Sequence, residues 1–318
     1  MSSIALQATA VVLEGPGRLR LGRLDLDAPG AADVVVDVAW SGVSTGTEKL
    51  LWTGRMPYFP GMGYPLVPGY ESVGRVVAAG ESSGHAVGET VFVPGARCYG
   101  EVRGLFGGAA STVVVPGARV TTVDERLGER AVLLALAATA RHALATAHAR
   151  PPELIVGHGV LGRLLARIAI ATRAVPPTVW ERNPERATGA VGYAVLDPKA
   201  DPRRDYASIY DASGDASLLD TLIARLAPGG EIVLAGFYSE PLAFAFAPAF
   251  MREARLRVAA EWRDPDMAAV KSLVEAGALS LDGLITHREA APEAASAYRT
   301  AFGDPACLKM VLDWREHA

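Results

Sequence analysis

From Ala8 to about Val120 the chain alternates short apolar runs with Gly and Pro punctuation: ATAVVLEG, LRLGRLDL, DVVVDVAWSG, SVGRVVAAG, GETVFVPG and STVVVPGARV. Runs of this length and spacing predict short strands in a barrel-like or sandwich arrangement. The pattern changes at RAVLLALAATARHALATAHA, residues 130–149, where apolar positions fall at helical spacing and few side chains are β-branched. Beyond it, strand candidates ELIVGHG, PTVWE, SIYDASG and GEIVLAGF alternate with helix candidates GRLLARIAIATR and LLDTLIARLAPGG. These strands are nearly continuous apolar runs, as expected of parallel strands covered by helices on both faces. DMAAVKSLVEAGALS and ITHREAAPEAASAYRTAF read as two further helices before a terminal strand, KMVLDW. The predicted plan is α/β. It has a β-rich domain over residues 1–136, a doubly wound parallel-sheet domain over 137–265, and a return to the first domain over 266–318.

A length of 318 residues exceeds a single core's usual size, and 50% hydrophobic with 21% charged residues describes a compact chain, not a disordered one. The formal net charge of −4 creates no field for polyanions, so no nucleic-acid partner is expected. The most apolar run, Ala131 to Ala140, is far shorter than the roughly 20 residues of a membrane span. The first residues carry no basic stretch followed by an apolar core, and the expected location is the cytoplasm. Two cysteines, Cys98 and Cys307, cannot supply a tetrathiolate zinc site and give no sign of a disulfide framework.

One short segment carries cofactor chemistry. Gly157-His158-Gly159-Val160-Leu161-Gly162 matches G-x-G-x-x-G, a weak signal by itself in a chain with 33 glycines. Its context strengthens it: the strand candidate Leu154-Ile-Val leads into Gly157, and a helix candidate begins at once after Gly162. A pyrophosphate would rest on that helix's free N-terminal amides. Gly157 suits the tight turn, Gly159 the close approach of backbone to phosphate, and Gly162 the packing of helix on strand. Glu181 ends the next strand candidate, where a carboxylate takes the ribose hydroxyls and repels a 2′-phosphate, so NAD is expected over NADP. Arg182 is the competing feature, since an arginine there can accept a 2′-phosphate. His158 is expected as an exposed turn residue, the alternative being that it reaches a phosphate or the substrate, and His142 is expected as a packed or capping histidine.

The β-rich region, the TARHAL helix, the glycine fingerprint, its terminal acid, and the APGGEIVLAGF and LITH segments together resemble the medium-chain dehydrogenase/reductase superfamily. The resemblance covers nearly the whole chain. It implies a GroES-like catalytic domain with a Rossmann domain, places Thr139 among the cofactor-binding residues, and implies a homodimer. Zinc-dependent members hold their metal through a cysteine where Ser44 stands, a histidine where Tyr70 precedes Glu71, and a second cysteine before the Thr139 helix, where only Leu and Ala occur. Neutral hydroxyls are poor zinc ligands, so no catalytic metal is expected. More narrowly, GVSTGTEKLLWTGRMPYFPGMGYPLVPGYESVGRVV, VFVPGARCYGEVRGLFGGAAS and FMREARLRVAAEW resemble the bacteriochlorophyllide dehydrogenases of bacteriochlorophyll biosynthesis. That implies NAD-linked oxidation of a ring 3-(1-hydroxyethyl) group to 3-acetyl on a chlorin or bacteriochlorin.

Without zinc, a side chain must handle the hydroxyl proton as hydride leaves. The candidates are Ser44, Thr45, Thr47, Glu48, Lys49, Tyr70 and Glu71. The expectation is Tyr70 as general base, its pKa lowered by a cation such as Lys49, with Ser44 or Thr45 orienting the hydroxyl and Glu71 structural. The alternative is that Tyr70 only fills the volume left by the metal and its ligand. Trp52, Met56, Tyr58, Phe59, Met62 and Tyr64 cluster in one Pro/Gly-rich loop, which suits either a flat macrocycle or a packed lid. Arg97 and Arg103 suit the substrate's carboxylate, or are solvated surface arginines. Two other functions fit the same architecture: a zinc-free quinone or enoyl reductase, and a non-catalytic NAD-binding protein.

Overall fold

The computed structural model describes residues 6–145, 149–173 and 175–316. It divides into two compact units, Met1–Ala135 with Leu284–Ala318, and Leu136–Gly283. The return to the first unit therefore comes at Leu284, not at 266. The physical reason is the helix Asp264–Glu275, which buries Asp266, Met267 and Val270. Asp266 also accepts from the ring of His142 at 2.8 Å, so both residues belong to the second unit's core.

In the first unit every predicted strand forms. A four-stranded sheet runs in the order Arg18–Asp25, Gln7–Gly15, Leu66–Val67, Arg103–Gly104. A seven-stranded sheet is built around the long strand Asp33–Val43, which pairs with Ser72–Ala79, Thr112–Pro116 and Met310–Asp313. The VVV run of that strand is almost wholly buried, as is Val113-Val114-Val115 beside it, so β-branched side chains fill the space between the sheets. The segment ITHREAAPEAASAYRTAF is helical only from Ala294 to Gly303. Its first part, His287–Ala290, is instead a strand parallel to the terminal strand Met310–Asp313, because sheet pairing outweighs an Ala/Glu-rich helical preference. The pattern also concealed the short helix Thr47–Thr53, whose N-cap Gly46 supplies no side-chain bond.

The second unit holds a six-stranded parallel sheet in the order Ala194–Leu196, Thr178–Trp180, Leu154–Val156, Tyr206–Asp211, Leu226–Leu234, Arg255–Val258. Numbered along the chain, this is the 3-2-1-4-5-6 order of dinucleotide-binding folds. The predicted helix LLDTLIARLAPGG is confined to Leu219–Ile223, because the chain re-enters the sheet at Leu226 opposite Tyr206. The long helix predicted over residues 130–149 is a 3-10 segment to Leu133 followed by α-helix Leu134–Ala145, and residues 146–148 lie outside the described residues.

Candidate active site

Two groups of side chains carry chemistry, one in each unit. In the first unit, the strand Asp33–Val43 ends just before Ser44, and the helix Thr47–Thr53 turns back directly after it. Tyr70 lies between the strands Leu66–Val67 and Ser72–Ala79. This puts the Tyr70 hydroxyl 2.7 Å from Ser44 Oγ, with the Phe106 ring edge-on to the phenol at 5.2 Å. The Thr47 and Ser44 hydroxyls act to lower the phenol's pKa. Ser44 is buried and Tyr70 half-buried, so the structure brings together two of the neutral hydroxyls named from the sequence.

The expected cation is elsewhere. Lys49 is exposed and donates to the Phe302 carbonyl at 3.0 Å. Tyr70 instead feels burial first and then the charge of Glu71, and both push its pKa well above the ordinary phenol value. The expectation of a lowered phenol pKa is therefore corrected: Tyr70 is a neutral hydroxyl donor near neutral pH.

Behind this pair lies a buried charge cluster. Lys309 Nζ donates to Glu71 Oε2 at 2.5 Å, and both side chains are essentially inaccessible. Burial pushes the Glu71 carboxyl up while the Lys309 ammonium works against it. Glu48 accepts from the Ser44 amide at 3.1 Å and from the Tyr298 hydroxyl at 2.6 Å. Burial pushes the Glu48 carboxyl up to about 7, against the lowering effect of those two bonds. Lys309 and Tyr298 were missed from the sequence. The available signal was Glu71 itself, since a carboxylate between apolar strands requires a buried cation.

Most of the aromatic loop packs against one apolar cluster. Met56 is buried with Leu13, Leu51, Leu66 and Leu105, and Trp52, Phe59, Met62 and Tyr64 pack against that cluster. Tyr64 donates to the Leu51 carbonyl. Tyr58 is 85% exposed, while Trp52, Phe59, Met62 and Tyr64 are half-buried. Arg97 and Arg103 are both exposed, and Arg103 reaches the Tyr64 carbonyl at 3.5 Å. Thr45 is half-buried beside Ser44.

In the second unit a strand, a glycine turn and a helix follow one another through the motif. Gly157 follows the strand Leu154–Val156 at φ +96°, and the helix Val160–Arg173 begins within the motif. A β-carbon at Gly162 would lie 1.9 Å from the Gly157 carbonyl oxygen, whereas one at Gly159 would meet only open space. Close packing at one glycine and an open face at another is the cradle a pyrophosphate requires, with the first-turn amides of Val160 and Leu161 beside it. Glu181 caps the turn from below: it accepts from the His158 amide at 3.1 Å and from the Asn183 amide at 2.8 Å. Arg182 is exposed and pairs with Asp215 at 3.6 Å. Thr139 is half-buried on its helix.

His158 is not an exposed turn residue. It is fully buried, donates from Nδ1 to the Arg186 carbonyl at 2.6 Å, and meets the Tyr193 hydroxyl through Nε2 at 2.8 Å. Burial pushes its pKa down to about 4, so the ring is neutral and pins the turn instead of reaching a phosphate. Arg163, also missed from the sequence, braces the same loop from within. Its buried guanidinium donates to the carbonyls of His158, Gly189, Arg186 and Thr188 at 2.7–3.2 Å.

Ser44 and Tyr70 are a poor donor set for the zinc that the family resemblance brings into question. The two aligned hydroxyls are neutral, and among the described residues no group of three or more His, Cys, Asp or Glu side chains is placed to hold a metal. No helix among the described residues is long and apolar enough to cross a membrane.

Residues 30–125 match the alcohol dehydrogenase GroES-like domain. The fold of a solved Escherichia coli alcohol dehydrogenase complexed with NADH is similar over 96% of this chain and 99% of that one, with a TM-score of 0.82 at 23% identity. A 2-desacetyl-2-hydroxyethyl bacteriochlorophyllide A dehydrogenase from Rhodobacter capsulatus is 60% identical over 312 residues, 98% of this chain and 99% of its own. One of the same name from Cereibacter sphaeroides is 58% identical over 318 residues, 98% of this chain and 100% of its own. The chain is an oxidoreductase acting on a CH–OH group, a medium-chain dehydrogenase/reductase belonging to the family of 2-desacetyl-2-hydroxyethyl bacteriochlorophyllide A dehydrogenases.

Proposed function

We propose that this chain oxidises the 3-(1-hydroxyethyl) group of a bacteriochlorophyllide to 3-acetyl with NAD as the acceptor. The observation that carries the reading is the full-length identity of 60% to a relative named for that class of substrate. Bound NAD supplies the nicotinamide carbon that accepts hydride. The choice of NAD over NADP rests on Glu181, whose carboxylate faces the turn and repels a 2′-phosphate.

In this reading Ser44 and Tyr70 hold the reacting oxygen. Tyr70, kept protonated by burial and by Glu71, donates to that oxygen as negative charge develops on it. Ser44 orients the alcohol, whose hydroxyl proton passes to solvent water while its hydride passes to NAD, giving ketone, NADH and one released proton. Tyr58, Arg97 and Arg103 are the exposed side chains available to the macrocycle and its carboxylate. The location proposed is the cytoplasm, where nicotinamide nucleotides are available.

The partner proposed is a second copy of this chain. Among the described residues no strand pairs with the outer side of the edge strand Arg255–Val258, which exposes Leu256 and Val258, the latter at 73%. Phe246, Phe250 and Met251 are exposed on the short helix just before it. An unpaired apolar edge of this kind is stable in water when another strand covers it.

Purified protein mixed with NAD and the 3-(1-hydroxyethyl) pigment is expected to produce NADH together with a shift of the pigment's long-wavelength band. No change in either signal rejects the reading, and faster turnover with NADP rejects the cofactor choice.

A further inference from the structure

The buried charges of the first unit do not balance. Among its described residues, three ionisable side chains of carboxylate or ammonium type are buried: Glu48, Glu71 and Lys309. The one ammonium is committed to Glu71 at 2.5 Å. Glu48 meets only neutral donors, the Ser44 amide at 3.1 Å on Oε1 and the Tyr298 phenol at 2.6 Å on Oε2. A buried carboxylate charge facing no cation is expensive, whereas the acid form is neutral and satisfies the same two partners. Its carbonyl oxygen accepts from the Ser44 amide, and its O–H donates to the Tyr298 oxygen, which as a phenol is both donor and acceptor. Every charged group that acts on Glu48 bears on the choice: Glu71 disfavours the carboxylate, and Lys309, already paired, favours it.

The geometry points to Glu48 as a proton-holding positioning residue, which in its acid form fixes the Ser44 main chain while sparing the Ser44–Tyr70 hydroxyl pair a second repelling charge beside that of Glu71. The inference deepens the proposed alcohol oxidation and rests on that reading for its kinetic consequence. Negative charge appears on the reacting oxygen as its proton leaves ahead of the hydride, and a carboxylate at Glu48 opposes that charge, just as it already acts on the Tyr70 phenol. Glu48 never exchanges its proton with substrate in this scheme. It acts only through Ser44 and through the field at Tyr70.

Two variants and one spectroscopic measurement test this. Glu48→Gln keeps the shape of the acid form, with its amide carbonyl accepting from Ser44 and its NH₂ donating to Tyr298, but it cannot ionise. In the wild type, kcat is expected to fall in a single-proton step as pH rises through neutrality. Glu48→Gln is expected to remain active and to lack that step. Tyr298→Phe removes a donor to the carboxylate and is expected to move the step to higher pH with KM little changed. Infrared difference spectra of the NADH-free protein are expected to show a buried carboxylic-acid carbonyl band that titrates near neutrality and is missing from Glu48→Gln. An unchanged step in Glu48→Gln, or an inactive but folded Glu48→Gln, overturns the inference. So does an infrared titration with no band lost in that variant. The infrared measurement needs no substrate, so a protein that fails to oxidise the pigment overturns the proposed function while leaving the Glu48 result to be read by itself.

Discussion

At the scale of single residues, hydroxyl chemistry at Ser44 and Tyr70 depends on charges that stand behind them. Removing the phenol hydroxyl takes away one donor to the developing oxyanion, a loss that typically costs about 10²–10³ in rate. Tyr70→Phe is therefore expected to bind NADH normally and to lose turnover by about that factor, and steady-state kinetics with a parallel NADH titration checks it. Lys309→Met leaves Glu71 buried without its cation, and breaking such a pair costs about 3–5 kcal/mol. Denaturant unfolding should show that loss, with most of it recovered when Glu71→Gln is added. Glu48 also links stability to pH. Its carboxyl is raised from the ordinary carboxylate range to about 7, so the folded state holds the proton more tightly than the unfolded chain. That contribution is present below the unfolded value and is lost as pH rises through about 7. Thermal unfolding of Glu48→Gln and wild type should therefore diverge in favour of the variant between about pH 5 and pH 8. A difference that stays constant across this range contradicts the linkage.

At the scale of elements, the glycine turn and the helix Val160–Arg173 act as one piece. A methyl group at Gly162 collides with the Gly157 carbonyl, so Gly162→Ala must push the helix away from its strand. The expected cost is about 1–3 kcal/mol of stability, together with at least tenfold weaker NADH binding by fluorescence titration. The turn is held from the other side by buried polar groups, His158 and Arg163, that bond only to neighbouring backbone and to Tyr193. Their role is to fix the open face at Gly159, and that explains why a histidine inside the fingerprint is buried and neutral.

At the scale of the whole molecule, the exposed edge strand Arg255–Val258 sets the expectation of self-association. A charge placed on that edge should prevent pairing. Val258→Lys is expected to convert a dimer to a monomer in size-exclusion chromatography with light scattering, while each unit keeps its fold by circular dichroism. A variant that elutes and scatters like the wild type would remove this strand from the interface.

What the sequence by itself determined is what depends on near neighbours. The glycine turn, its flanking strand and helix, and Glu181 lie within 28 positions, so local spacing sufficed to read them. The triple-valine strands were equally plain, because a run of β-branched residues has few other stable uses. Only the tertiary structure decided the rest. It seated Lys309 against Glu71 across 238 positions and Tyr298 against Glu48 across 250, pairings that no local pattern encodes. It turned His287–Ala290 into a strand through pairing with the terminal strand, and it kept Lys49 away from Tyr70. Burial then set the proton affinities. A phenol's or carboxylate's pKa is fixed by the solvent it loses and the charges it gains, and both are properties of the folded molecule.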